Sequence, residues 1–217
     1  MKLFLTSAGL PPETTEAFLG LLGKKPEETA VCIITTASFA NHPEGDAPYV
    51  KADKQRLSEL GFGTMVEIDL RKENENSLSG KLANLDVVFV EGGNTFYLMK
   101  YVRESGFDKA IKRFLDGGGI YLGVSAGSYV AGPDISPAGW SPDWDENKVG
   151  LKDLKGLGLV DFYISPHYIP EHEAIINKNK DKVSYPIYAL TDTQAILIND
   201  RDVQFIGPGE FKKFHQG

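Results

Sequence analysis

Ser125 lies in the pentapeptide Gly123-Val124-Ser125-Ala126-Gly127, directly after the apolar run GIYLGV at 119–124. The pattern G-x-S-x-G is that of a nucleophile elbow, a tight strand-to-helix turn that presents a serine hydroxyl at the edge of a sheet. Flanking glycines permit the strained backbone, and the N–H of Ala126 can then face a developing oxyanion. A serine that merely caps a helix after a buried strand gives a similar string. Partners must therefore decide. EGGN at 91–94 is one, because its two glycines leave an apolar run just before Asn94 starts a helical pattern. Neighbouring strand ends of a parallel sheet share one edge, so the N–H groups of Gly92 and Gly93 can converge with that of Ala126; a plain glycine turn is the alternative. A serine nucleophile also needs a base within hydrogen-bond reach. Of His42, His167, His172 and His215, only His167, in ISPHYIP, directly follows a strand-like run. A third group would orient the imidazole. The loop before His167 offers Asp134, Asp143, Asp145 and Glu146, and spacing does not choose among them.

These residues need a scaffold that brings strand ends to one rim. Short β-rich runs at 2–6, 30–36, 64–70, 86–93 and 119–124 alternate with helical patterns, which implies crossover connections and a mostly parallel sheet. Phe107, Ala110, Ile111, Phe114 and Leu115 form one helical stripe, with Ser105 expected as N-cap and Gly117 to Gly119 as the stop. Further helices are expected at about 12–23, at 49–60 and after Asn94. The segment 132–150, GPDISPAGWSPDWDENKVG, reads as a long loop that either carries side chains to a site or is a solvated insertion. DFYIS at 161–165 reads as a strand, PEHEA opens a short helix, and QAILIND with DVQFIG reads as a terminal β-hairpin.

The chain has 217 residues, 41% hydrophobic and 24% charged, enough for one substantial core and a single domain over 1–217. Its net charge of -7 argues against nucleic acid or an anionic membrane as partner, since phosphate binding needs clustered Lys and Arg. The one cysteine, Cys32, sits in the apolar run AVCIITT and reads as a reduced core thiol. With no signal-like or membrane-spanning run, a cytoplasmic location is expected. Neither HExxH nor a Cys/His ligand set is present, so no metal or other cofactor is expected.

VFVEGGNTFYLMKYVRESG (88–106), GIYLGVSAGSYVAGP (119–133) and ISPHY (164–168) together resemble peptidase E, the aspartyl dipeptidase family that also includes cyanophycinase-like serine peptidases. The resemblance implies a three-layer α/β fold like the class I glutamine amidotransferases, flavodoxin-like, with helices on both faces of a mostly parallel sheet. It implies Ser125 as nucleophile, His167 as base, and Gly92, Gly93 and Ala126 around the oxyanion. Related amidotransferases carry cysteine at the elbow, which is serine here. Three departures stand out. Glu91 replaces the first of three family glycines and would either hydrogen-bond near the site or repel an acidic substrate. The family's Thr-Thr-Asn-Asp segment is replaced by the Trp-containing loop, where Asp143 and Asp145 fall nearest the family acid. The segment after the histidine, EHEAIINKNKDK, lacks arginine, leaving Lys178, Lys180 and Lys182 as its cations.

The expected activity is serine-type hydrolysis of small peptides, including dipeptides that begin with an acidic residue, through an acyl-enzyme. A homo-oligomer is expected from the resemblance alone, with Trp140 and Trp144 either covering the site or facing a neighbour. Two other readings compete. An α/β-hydrolase-type esterase would place its base late, at His215, and a non-catalytic amidotransferase-like binding module would keep the elbow only as a packed turn.

Overall fold

In the computed structural model, which describes residues 1–215, the five apolar runs pair as parallel strands of one sheet. These are β1 (Lys2–Thr6), β2 (Ala30–Ile34), β3 (Thr64–Ile68), β4 (Val87–Val90) and β5 (Ile120–Val124). Two antiparallel strands, β8 (Ala195–Asn199) and β9 (Asp202–Ile206), extend it to the order β3-β2-β4-β5-β1-β8-β9. The hairpin expected from QAILIND and DVQFIG is this β8–β9 pair. A second sheet joins β6 (Tyr163–Ser165), β7 (Ile187–Ala189) and β10 (Lys212–Phe214) in the order β10-β7-β6.

Both faces of the main sheet are covered, which is why its central strands read as nearly continuous apolar runs. Phe4, Val31, Ile33, Phe89, Leu122 and Leu197 bury one face against α1 (Pro12–Leu22) and α2 (Pro48–Glu59), through Phe18, Leu21, Leu22 and Leu57. Their alternates Leu3, Leu5, Cys32, Ile34, Val88, Val90 and Tyr121 bury the other. Against that face lie α3 (Glu75–Leu82), α4 (Thr95–Glu104), α5 (Phe107–Asp116) and α6 (Ala126–Ala131). This is the three-layer, amidotransferase-like architecture.

The stripe on α5 buries as expected, but its cap differs. Gly106, at φ 71°, occupies the N-cap position, while Ser105 ends α4, donates to Tyr101 O (2.6 Å) and accepts weakly from Phe107 N (3.3 Å). A direct turn from one helix into the next needs a left-handed residue, and glycine takes that conformation without steric cost. The segment 132–150 packs Trp140 and Trp144 against Tyr163, Tyr168, Ile176, Val183 and Ile187, the core shared by the small sheet and α7 (Glu173–Asn179). It is thus anchored, not a free insertion.

Candidate active site

Ser125 has φ 49° and ψ -107°, outside the regions that non-glycine residues ordinarily occupy. Such a conformation costs on the order of 1–3 kcal/mol and persists only where the surroundings over-determine it. Here they do. Ser125 N donates to Thr6 O (3.1 Å), and its carbonyl accepts from Ser128 N and Tyr129 N (both 2.9 Å), starting α6. The Tyr121 hydroxyl, buried beneath the turn, donates to Gly127 O (2.6 Å), and Ser128 Oγ donates to Thr6 O and Gly123 O. A Cβ on Gly127 would stand 2.1 Å from Val90 O, so the last glycine of the pentapeptide lets α6 start directly over β4.

The hydroxyl so presented meets His167, whose Nε2 lies 3.0 Å from Ser125 Oγ. On the other side of the ring, Nδ1 lies 2.7 Å from Asp192 Oδ1. The same oxygen accepts from Ser7 Oγ (2.9 Å), and His167 N donates to Ser7 Oγ, which ties the histidine's unusual backbone (φ 55°) to the end of β1. Asp192 thereby fixes the tautomer with Nδ1 protonated and Nε2 free to take a proton from serine. The hydrogen bond from His167, with the ring's charge and Ser7 assisting against desolvation, holds the Asp192 carboxyl below its ordinary 3.8.

Neither acid expected from the long loop occupies that place. Asp145 Oδ2 accepts from Thr95 N (2.7 Å) at the start of α4, where unpaired amide donors attract a carboxylate. Burial raises its pKa, with the Thr95 bonds opposing. Asp143, like Asp145, borders a cavity that also touches Ser125 and His167, but no hydrogen bond joins it to the ring, and its amide donates to Ser141 Oγ. The acid that faces the ring comes instead from the turn before β8. Because β8 runs antiparallel to β1, with Ala195 opposite Thr6, its entry lies at the rim where β1 and β5 end. His215, the base of the esterase reading, is exposed beyond β10 and does not border the cavity at Ser125.

Gly92 is pressed against the elbow, since a Cβ there would lie 3.3 Å from Ser125 Cβ. Gly93 follows at φ 131°, where a side chain would also strike the Ala37 backbone at 2.4 Å. The EGG turn thus presses its glycine backbone against Ser125. Ala126, the first residue of α6, contributes an N–H that its own helix leaves unpaired. Asn94 completes the turn as N-cap of α4, accepting from Tyr97 N (2.9 Å) and donating to Glu146 O.

Ser125, His167 and Asp192 open into a cavity of about 590 Å³ that Asp53, Arg56, His42 and Tyr49 also border. A second cavity, about 490 Å³, touches Ser125 and His167 from the side of Tyr129, Trp144 and His172. Among the described residues no group of three or more His, Cys, Asp or Glu side chains is placed to hold a metal ion. Cys32 lies in β2, where burial pushes its thiol up to about 12, well away from reactive thiolate character.

Comparison with known proteins gives this geometry its context. The profile of peptidase family S51 matches residues 3–206. An uncharacterized peptidase of Listeria innocua is 34% identical over 210 residues, covering 93% of this chain and 94% of its own. Peptidase E of Streptomyces coelicolor is 30% identical over 138 residues, 62% of this chain and 55% of its own. Among solved structures, a candidate peptidase E from Listeria monocytogenes EGD-e superposes with a TM-score of 0.80 at 29% identity, covering 96% of this chain and 98% of that one. A peptidase from an acI-B1 Actinobacterium shares the fold, with a TM-score of 0.72 at 16% identity over 100% of this chain and 94% of that one. The chain belongs to peptidase family S51 and is a serine peptidase.

Proposed function

We propose that the enzyme hydrolyses short peptides, dipeptides with an acidic first residue among them, through an acyl-enzyme on Ser125. The observation that carries this reading is the unbroken hydrogen-bond chain Ser125–His167–Asp192. Ser125 Oγ attacks the scissile carbonyl while His167 Nε2 takes its proton, and Asp192 holds the opposite N–H and stabilises the imidazolium. The carbonyl oxygen becomes an oxyanion held by backbone N–H groups of the EGG turn and of Ala126. Collapse breaks the C–N bond, and the leaving amine takes the proton from His167. Water then repeats the sequence on the ester and frees Ser125.

Small substrates suit a cavity of about 590 Å³. An acidic residue finds one guanidinium there. Arg56 donates from Nε to Leu10 O (3.2 Å) and from Nη2 to Thr15 Oγ1 (3.0 Å), which orients the group while leaving donors for a carboxylate. It stands on α2, in a part of the chain remote in sequence from the lysine-rich segment 178–182. A panel of Asp-X, Glu-X and neutral dipeptides tests the substrate class. Ser125→Ala should lower kcat by about 10⁴-fold or more and abolish labelling by a phosphonofluoridate. Undiminished turnover by that variant would refute the assignment.

A further inference from the structure

Glu91 directly precedes the two glycines beside Ser125, yet the mechanism leaves it no task. It is 0% exposed, no side chain donates to either carboxyl oxygen, and the Gly92 amide is the backbone group that eases its charge. An ionised carboxylate without a partner is costly to bury. What lies against it is the Asp53 carboxyl, reached from α2. Two carboxyl groups bond to each other only when one carries a proton, since ionised carboxylates solely accept. Burial and this mutual repulsion push both upward, Asp53 to about 6 and Glu91 well above its ordinary value. Asp53 Oδ1 is lodged against Gly9, where a Cβ would come within 2.3 Å, so the pair is seated beside the segment that carries Ser7. Asp53 also borders the cavity that holds Ser125, His167 and Asp192.

We propose that Asp53, with the buried Glu91 carboxyl behind it, binds the free α-ammonium of the peptide substrate, which makes Asp53 a specificity-determining residue for cleavage after the first amino acid and Glu91 its positioning residue. The proposal rests on Ser125 being the nucleophile of a small-peptide hydrolase. Glu91 is buried behind Asp53, the pair is net anionic, and the open side of Asp53 is the cavity. An ammonium entering there supplies the donors that Asp53 lacks, while the single proton stays shared between Asp53 and Glu91 behind it. The groups acting on the pair are Tyr49 and Lys54 from α2 and the Gly92 amide; Arg56 from α2, His42 from the preceding loop, Asp192 and His167 border the same cavity. Arg56 stands one helical turn from Asp53. Residues at i and i+3 share a helix face, so a first residue with both an ammonium and a side-chain carboxylate meets both charges together.

The test compares Asp-Leu and Ala-Leu with their N-acetyl derivatives, in the wild type, Asp53→Asn and Glu91→Gln. The wild type should prefer the free amines. Each variant should raise KM for the free dipeptides by about 10- to 100-fold, the loss of one charged hydrogen bond, with kcat nearly preserved and the preference over the N-acetyl forms reduced alike. Asp53→Asn alters a partly exposed group, so it stays informative if Glu91→Gln fails to fold. Equal turnover of acetylated and free dipeptides by the wild type, or an unchanged KM in a folded Asp53→Asn protein, would overturn the proposal. Failure of the underlying reading looks different: Ser125 is then not labelled by a phosphonofluoridate and no dipeptide is cleaved.

Discussion

Two carboxyl centres reach the cavity at Ser125, one through Asp192 and the other through Asp53 with Glu91 buried behind it, and the protein treats them in opposite ways. Asp192 is 61% exposed and is given donors by His167 and Ser7, so it stays ionised. Glu91 is wholly buried and is given another acid, so a proton is retained. Burial raises a carboxyl pKa and donated hydrogen bonds lower it, and here the two effects operate within one site. The contrast teaches that the charge of a carboxyl group near the nucleophile follows from its partners rather than from its residue type. On the proposed reading the two would also divide the tasks, one acid facing the imidazole and the other pair a cationic ligand.

Substituting the ionised centre should produce the largest effect. Asp192→Asn keeps the shape of the contact but lets the amide donate to His167, favouring the wrong tautomer. In a triad this costs about 10⁴-fold in kcat. Steady-state kinetics on a cleaved dipeptide measure it, and a fall of less than tenfold would remove Asp192 from the relay. Asp53→Asn, by contrast, should act on KM, so the two substitutions split along kcat and KM if the contrast holds.

Much of this site was legible in the sequence, and its missing member has a topological cause. The elbow announces itself because Gly123 and Gly127 flank a serine after an apolar strand, and His167 stands out by following another strand. Parallel strands deliver residues that follow them to the rim, which marks the glycines, the serine and the histidine, whereas for the acid the sequence offers only the loop before His167. Asp192 precedes a strand. TDTQ before AILIN reaches the rim because β8 is antiparallel to β1, a pairing that no local pattern encodes. The hairpin itself was visible, and had its first strand been set beside β1, Asp192 would have been a candidate. Likewise ENSLSGKL offers only Leu78 and Leu82 as buried apolar residues, too few to mark α3 in the sequence, although Asn74 and Ser77 form a capping box. The strands β7 and β10, three residues each, are too short to show a period.

Stability against pH gives a smaller but sharper view of the same contrast. Unfolded, Asp53 and Glu91 ionise near 3.8 and 4.5, whereas the folded chain keeps protons on them to about 6 and beyond. Within that window the folded state binds more protons than the unfolded one. Stability therefore falls as pH rises, by at most ~1.4 kcal/mol per pH unit for each retained proton. Asp192 has the opposite sign, since its carboxyl is held below 3.8 and its contribution is lost only as pH falls through the lowered folded value. Thermal midpoints of the wild type and Glu91→Gln between pH 4.5 and 7 should therefore diverge, with the variant's curve flatter. Parallel curves would mean that Glu91 and Asp53 do not retain a proton together.

The smallest expected effect belongs to Asp145, one of the two acids that the resemblance sets nearest the family acid. Asp145 spends its carboxylate on the Thr95 amide, ahead of an α4 that already has Asn94 as its cap. Removing such a capping bond costs about 1 kcal/mol, and Asn94 limits the fraying that follows. Asp145→Ala should thus lower the midpoint of urea unfolding slightly while kcat/KM falls less than tenfold. The same carboxylate does lie close enough to His167 to feel its charge. A loss in kcat approaching that of Asp192→Asn would therefore mean that the imidazolium is stabilised from both sides, and that the division between an ionised relay acid and structural acids around it is too simple.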